Sequence, residues 1–177
     1  SKTSKAFSSM LCWNYPDAIG AIHFCKFNNS DRTNSKIIFT SIAYHLSNFI
    51  PEYKAKLINL PDLDTIFEKN ASRILEYLIL EQLYDIHLSK PVVIILDALD
   101  ECSWRGENEI CDILQRAYRN NEIPSWLKFV ITSRNEAEIR RYLLPVSQVS
   151  DALEVTSEDD LREYYHKQFP DINEETV

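Results

Sequence analysis

Glycine is almost missing from this chain of 177 residues; the two present are Gly20 and Gly106. A globular chain averages about 7% glycine, roughly a dozen at this length. No complete G-x-G-x-x-G or G-x-x-x-x-G-K-[ST] loop exists within these residues, so any phosphate-binding reading has to work around that shortage. Long apolar runs are missing too. The longest, Val92 to Leu96, is strand length and far short of the ~18 residues of a membrane span. Basic excess is absent: 27 acids against 19 bases give a net charge of −8. That balance argues against nucleic-acid binding by bulk electrostatics. The acids crowd the end, where residues 151–177 hold nine acids and two bases, the pattern of a solvated helix face and tail.

No C-x-x-C pair occurs among Cys12, Cys25, Cys102 and Cys111, and no histidine stands at zinc-ligand spacing from a cysteine pair. A chain of this size needs no disulfide staples, so reduced thiols and a cytoplasmic setting are expected. The lysine-bearing start has no apolar h-region of a signal peptide. Ser1 in place of an initiator methionine reads as a start inside a longer protein or after processing. At 45% apolar and 26% charged residues the composition is that of an ordinary globular domain.

What is present alternates between strand and helix. Residues 3–13 carry Ala6, Phe7, Met10 and Leu11 at helical spacing, and Asn14-Tyr15-Pro16-Asp17 stops them. Ile19 to Phe27 reads as a strand. Residues 35–50 place Ile38, Ile42, Leu46 and Phe49 on one helical face, ended by Pro51. A polar connector with Pro51 and Pro61 follows, then a long amphipathic helix over 64–88. Val92 to Leu96, after Pro91, is a strand buried on both faces. A helix over 107–119, a strand over 127–132, and a helix begun by a cap-like Asn135 and Glu138 come next. Leu153–Val155 suggests a last short strand, and Thr156-Ser157 a helix start. The spacing predicts βαβ units and therefore a doubly wound, mainly parallel α/β sheet with helices on both faces. The expected division is a core over 1–156 and the acidic helical start of a following segment over 157–177.

In such sheets ligands sit at the carboxyl ends of the strands. There, Val92-Val93-Ile94-Ile95-Leu96-Asp97 delivers one carboxylate at a strand tip, with Asp100 and Glu101 within the next turn. A phosphate-bound Mg²⁺ takes hard oxygen ligands at a rigid place. A neighbouring carboxylate orients or deprotonates an attacking water. A strand ending in a polar turn accounts for Asp97 alone, but less well for three acids clustered where solvation prefers them apart. A second buried strand, Phe129-Val130-Ile131-Thr132, is followed by Ser133-Arg134, an arginine placed to meet a γ-phosphate. Lys2-Thr3 opens the first helix, as the end of a phosphate loop does: lysine to the phosphates, hydroxyl to Mg²⁺. Its value is positional, since it precedes the carboxylate strand and the arginine strand. The four histidines read as structural, and Trp13, Trp104 and Trp126 as packing against the sheet edges.

The runs ILDALDEC and FVITSR, with the strand AIHFCKF before the helix IIFTSIAYHL, resemble a NACHT domain of the STAND class of P-loop NTPases. The resemblance covers nearly the whole chain. It implies a domain that binds ATP, or in some members GTP, with Mg²⁺, and hydrolyses it slowly. Such a domain switches a larger repeat-containing protein between closed and oligomeric states in immune, death or incompatibility signalling. By resemblance, Lys2 and Thr3 match the phosphate-loop lysine and the Mg²⁺ hydroxyl. Asp97 matches the Mg²⁺ carboxylate, Asp100 and Glu101 the acidic pair that positions water, and Arg134 the sensor arginine. Ser1 stands where the family has glycine. The first strand and most of the phosphate loop, and the segments that follow the NTPase core, are not within these residues. A truncated domain with unpaired strand edges is therefore expected. The reading from another class is a non-catalytic interaction scaffold with a degenerate nucleotide site.

Overall fold

The computed structural model describes residues 2–61, 63–103 and 105–147, with side chains described from Ser8 onward. Three strands form one parallel sheet, β1 (Ile19–Phe24), β2 (Val92–Asp97) and β3 (Leu127–Ile131), in the order β1-β2-β3. The acid-tipped strand is thus the central one. Phe24 pairs with Asp97 and Leu96 with Ile131, which brings the three carboxyl ends level.

Helices flank the sheet. α1 (Lys2–Asn14) lies against β2. α2 (Ser30–Thr33) leads into α3 (Ser35–Phe49), which packs along β1. α4 (Pro51–Ile58) and α5 (Leu63–Ile66) follow. α6 (Ala71–Ile74) continues through a π-helical segment, Leu75–Leu80, into α7 (Glu81–Leu83). α8 (Glu109–Arg119) and α9 (Ala137–Leu143) bracket β3 in sequence and pack on each other. Adjacent residues of a strand face opposite sides. Ile94 and Ile95 are both fully buried, so both faces of the central strand are covered, as its unbroken apolar run requires.

Local chemistry explains the helix starts. Asn34 accepts the Lys36 N–H at the head of α3, and Asn108 accepts the Cys111 N–H at the head of α8, each satisfying a donor with no partner inside the helix. Asn108 is itself buried, because its amide also donates to the Leu99 carbonyl at 2.8 Å. α8 has Glu109 and Asp112 in its first turn and Arg116 and Arg119 in its last, the sense the helix dipole favours. Ile110, Ile113, Leu114 and Ala117 form its buried stripe.

Several expectations shift. The connector expected after Pro51 is helical over Pro51–Ile58: proline is favoured at the first helical position, and Tyr53 anchors the turn from a fully buried site. The helix expected over 64–88 runs only from Ala71 to Leu83, opened by the Asn70 side chain accepting the Arg73 N–H. Ile86 is buried beyond its end. At its π-helical centre, the Leu78 carbonyl accepts the Tyr53 hydroxyl at 2.7 Å and the Tyr77 carbonyl accepts the Gln82 amide at 3.0 Å. Asn135 is not the cap of α9; Glu136 holds that place without a side-chain cap bond. Trp126 packs as expected and donates to the Ile86 carbonyl. Trp13, on the last turn of α1, is 81% exposed instead. Trp104, the strand expected at Leu153–Val155 and the boundary at 156 lie outside the described residues.

The two glycines have separate tasks. The β1–β2 register shifts between Ile19 and Ala21, so Gly20 is the irregular residue, as bulges often require. A Cβ there would stand 2.5 Å from Val92 Cγ1 and 2.9 Å from Leu46 Cδ2. Gly106 has φ +78°, a left-handed turn conformation that glycine adopts without a steric cost.

Candidate functional site

The site is built from the tips of β2 and β3. Asp97, the last residue of β2, is 1% exposed. One of its carboxylate oxygens accepts the Thr132 hydroxyl at 2.7 Å and the Ser8 hydroxyl at 3.1 Å. Buried carboxylates need such partners, and here they come from two elements, α1 and the exit of β3. Thr132 also accepts the Ala98 N–H through its hydroxyl at 2.9 Å. Ala98 adopts φ 57°, ψ 49°, a left-handed conformation uncommon for a residue with a Cβ. Thr132 further ties the turn down by accepting the Leu99 N–H on its carbonyl and donating its own N–H to Leu96. The turn folds the chain straight into a 3₁₀ segment, Leu99–Cys102, which carries the other two acids.

Asp100 is 8% exposed. Its two oxygens accept the Arg134 backbone N–H at 3.0 Å and the Arg134 Nε–H at 2.6 Å. Burial pushes its carboxyl up, but the side chain and backbone N–H of Arg134 outweigh this and leave it below the usual carboxylate range. The Arg134 side chain is otherwise 71% exposed, so one edge of the guanidinium is held while the rest faces solvent. Glu101 is half-buried and accepts the Phe27 N–H at 2.9 Å, fixing the loop after β1. The three acids are therefore not equivalent: Asp97 is held by hydroxyls, Asp100 holds the arginine, and Glu101 holds a neighbouring loop.

An open cavity of about 1170 Å³ lies at this end of the sheet, bounded by Phe27, Asp100, Glu101, Arg134, Arg105 and Arg141 among others. It faces the carboxyl ends of the strands, where open parallel sheets place ligands. Among the described residues, no group of three or more His, Cys, Asp or Glu side chains is arranged to hold a metal ion. A cation held near Asp97 would therefore need oxygens from a ligand or water to complete its shell, which is how Mg²⁺ usually meets phosphates.

The structure brings together four of the six residues singled out in the sequence: Asp97, Asp100, Glu101 and Arg134. Lys2 and Thr3 stand in the first turn of α1, and their side chains lie outside the described part. Ser8 comes five positions after Thr3, about 8 Å along a helix, and it is Ser8 that meets Asp97. Ser8 is an ordinary helix serine by any local signal, and Thr132 stands out in the sequence only as half of a hydroxyl pair. Phe27 contributes through its backbone N–H, which no residue pattern reports. His23, on β1, pairs with the Arg32 carbonyl at 3.2 Å.

Fold and site together define a parallel α/β domain with a carboxylate-and-arginine centre at its strand tips. Within that class the chain belongs to the nephrocystin 3, N-terminal family, whose sequence model matches residues 6–134. The matched stretch takes in Ser8, Asp97, Asp100, Glu101 and Thr132 and ends at Arg134; Lys2 and Thr3 precede it. No curated protein and no solved structure matches the chain. Among the described residues no helix is long and apolar enough to cross a membrane.

Proposed function

We propose that this domain is a nucleotide-dependent switch, binding Mg²⁺·ATP, or GTP in its place, and hydrolysing it slowly to control the assembly or signalling of a larger protein. This is the NACHT-like, P-loop NTPase reading of the fold. The observation that carries it is Asp97: a buried, hydroxyl-held carboxylate at the tip of the central strand, with Arg134 delivered beside it from the next strand. In this reading Asp97 and Thr3 hold Mg²⁺, Lys2 and Arg134 meet the phosphates, and Glu101 orients the attacking water. Asp100 sets the guanidinium of Arg134 and shares the acidic wall. The strand order fits as well. β3 pairs only with β2 among the described residues, and Lys128–Ile131 are all half-buried. That outer edge is where a strand feeding a phosphate loop would add in parallel.

A second reading has its own support. The arginine expected on a phosphate is already paired with Asp100, and Ser1 stands where a phosphate loop has glycine. Both fit a scaffold that binds nucleotide without turnover, or not at all.

Single-turnover phosphate release from the full-length protein separates the two. Glu101→Gln keeps an acceptor for the Phe27 N–H but removes the base. It is expected to slow release by about 100-fold while ATP still binds. An unchanged rate in that variant would remove Glu101 from the chemistry, and no release from the wild type would favour the scaffold.

A further inference from the structure

Among the side chains of α1 that the structure describes, Ser8 is the one fully buried. On a helix packed against a sheet that place usually goes to an apolar residue. A serine or threonine inside a helix commonly turns its hydroxyl back to a carbonyl of the preceding turn. Thr40 does so with Lys36, and Ser47 with Tyr44. Ser8 has one hydroxyl proton to donate, and it goes to Asp97 Oδ1 at 3.1 Å, 89 residues away in sequence. Of the other buried polar side chains outside the acidic tip, Ser35 and Gln115 join helix to helix and Asn108 holds a turn. Of this set only Ser8 donates to one of the three acids.

Thr132 donates to the same Asp97 oxygen at 2.7 Å, from the exit of β3. Held at one oxygen by two elements, the carboxylate cannot turn about its Cβ–Cγ bond without losing one of these bonds. The first turn of α1 carries Lys2 and Thr3. The bond that holds Asp97 therefore also sets how far along β2 that turn stands.

We infer that Ser8 is a positioning residue, fixing the Asp97 carboxylate against α1 so that a cation held between Asp97 and Thr3 finds both at a set separation. The inference rests on the nucleotide reading of the site and adds the residue through which helix and strand tip act together. In this role Ser8 touches neither cation nor nucleotide. Mg²⁺ demands near-ideal octahedral geometry, with oxygens at about 2.0–2.1 Å. A carboxylate that turns, or a helix that slides by a fraction of an ångström, therefore weakens its binding. A nucleotide bound without metal does not feel that loss. A serine that only fills space behaves differently: alanine replaces it with little change, being smaller by one oxygen and the better helix former.

The test titrates ATP calorimetrically into the full-length protein, with Mg²⁺ and with EDTA, for the wild type, Ser8→Ala, Ser8→Cys and Asp97→Asn. Ser8→Ala should lower the Mg²⁺-dependent gain in affinity by about fivefold and leave the affinity in EDTA unchanged. Ser8→Cys keeps a weaker donor of similar size and should fall between the wild type and Ser8→Ala. If Asp97→Asn abolishes the gain while Ser8→Ala keeps it whole, the inference is overturned and the nucleotide reading stands. Binding weakened equally in Mg²⁺ and in EDTA would also overturn it, since that is the mark of a packing role. A wild type with no Mg²⁺ gain would overturn the nucleotide reading, and the role of Ser8 with it.

Discussion

Asp97, Thr132 and Ala98 show how one strand tip is held. A carboxylate sealed at 1% exposure has to find donors, and the Thr132 hydroxyl supplies one while accepting the Ala98 N–H. The left-handed Ala98 is the cost of turning the chain at once after Asp97. Asp100 shows the electrostatic counterpart. Its folded pKa lies below the ordinary carboxylate value of about 3.9. The sign follows: its contribution to stability is fully present above that value and is lost as pH falls through the lower folded value. Asp100→Asn removes the charge and keeps one acceptor. The stability gap between wild type and Asp100→Asn, from urea unfolding, should be constant above about pH 5 and narrow below about pH 4. A gap that widens on acidification would mean that Arg134 does not hold the carboxylate. Asp97, Asp100, Glu101 and Arg134 were legible in the sequence because each follows a strongly apolar strand. Ser8 was not, because its partner lies 89 residues away and nothing local marks it.

At the scale of elements, β1 lies under α3 and tolerates no side chain at Gly20. Val92 and Leu46, which a Cβ there would strike, are themselves buried at 3% and 0% exposure. Gly20→Ala should therefore destabilise the domain by roughly 1–3 kcal/mol through overpacking, read as a lower urea midpoint with an unchanged slope. A neutral result would mean that the strand and helix separate more easily than this packing implies. The same elements show what pattern reading captures. Helix α3 was legible almost to the residue, because Ile38, Ile42 and Leu46 recur on one face between an asparagine cap and a proline. The segment after Pro51 was not. Its composition is polar, and only the burial of Tyr53 against Leu78 shows why it coils into a helix. The helix expected over 64–88 is shorter in the structure, broken between Ile66 and Ala71 and ended at Leu83, while buried Ile86 extends the apolar pattern past the last helical turn. The π-helical centre leaves no mark in residue periodicity at all.

At the scale of the whole molecule, a three-stranded parallel sheet places Asp97, Asp100, Glu101 and Arg134 at one end. The parallel topology was legible in the alternation of strands and helices. The central position of β2 was not, because strand order is set by long-range pairing that no local pattern records. An overall charge of −8 makes Arg134 notable as a cation retained among acids, which suits an anionic ligand carried with its own Mg²⁺. The most direct measurement is calorimetric titration of ATP into the full-length protein, with Mg²⁺ and with EDTA, for the wild type and for Asp97→Asn. Mg²⁺ should tighten wild-type binding by at least about tenfold, some 1.4 kcal/mol, and Asp97→Asn should abolish this gain while remaining folded. Equal affinity with and without Mg²⁺, or a gain that survives in Asp97→Asn, would contradict the nucleotide reading.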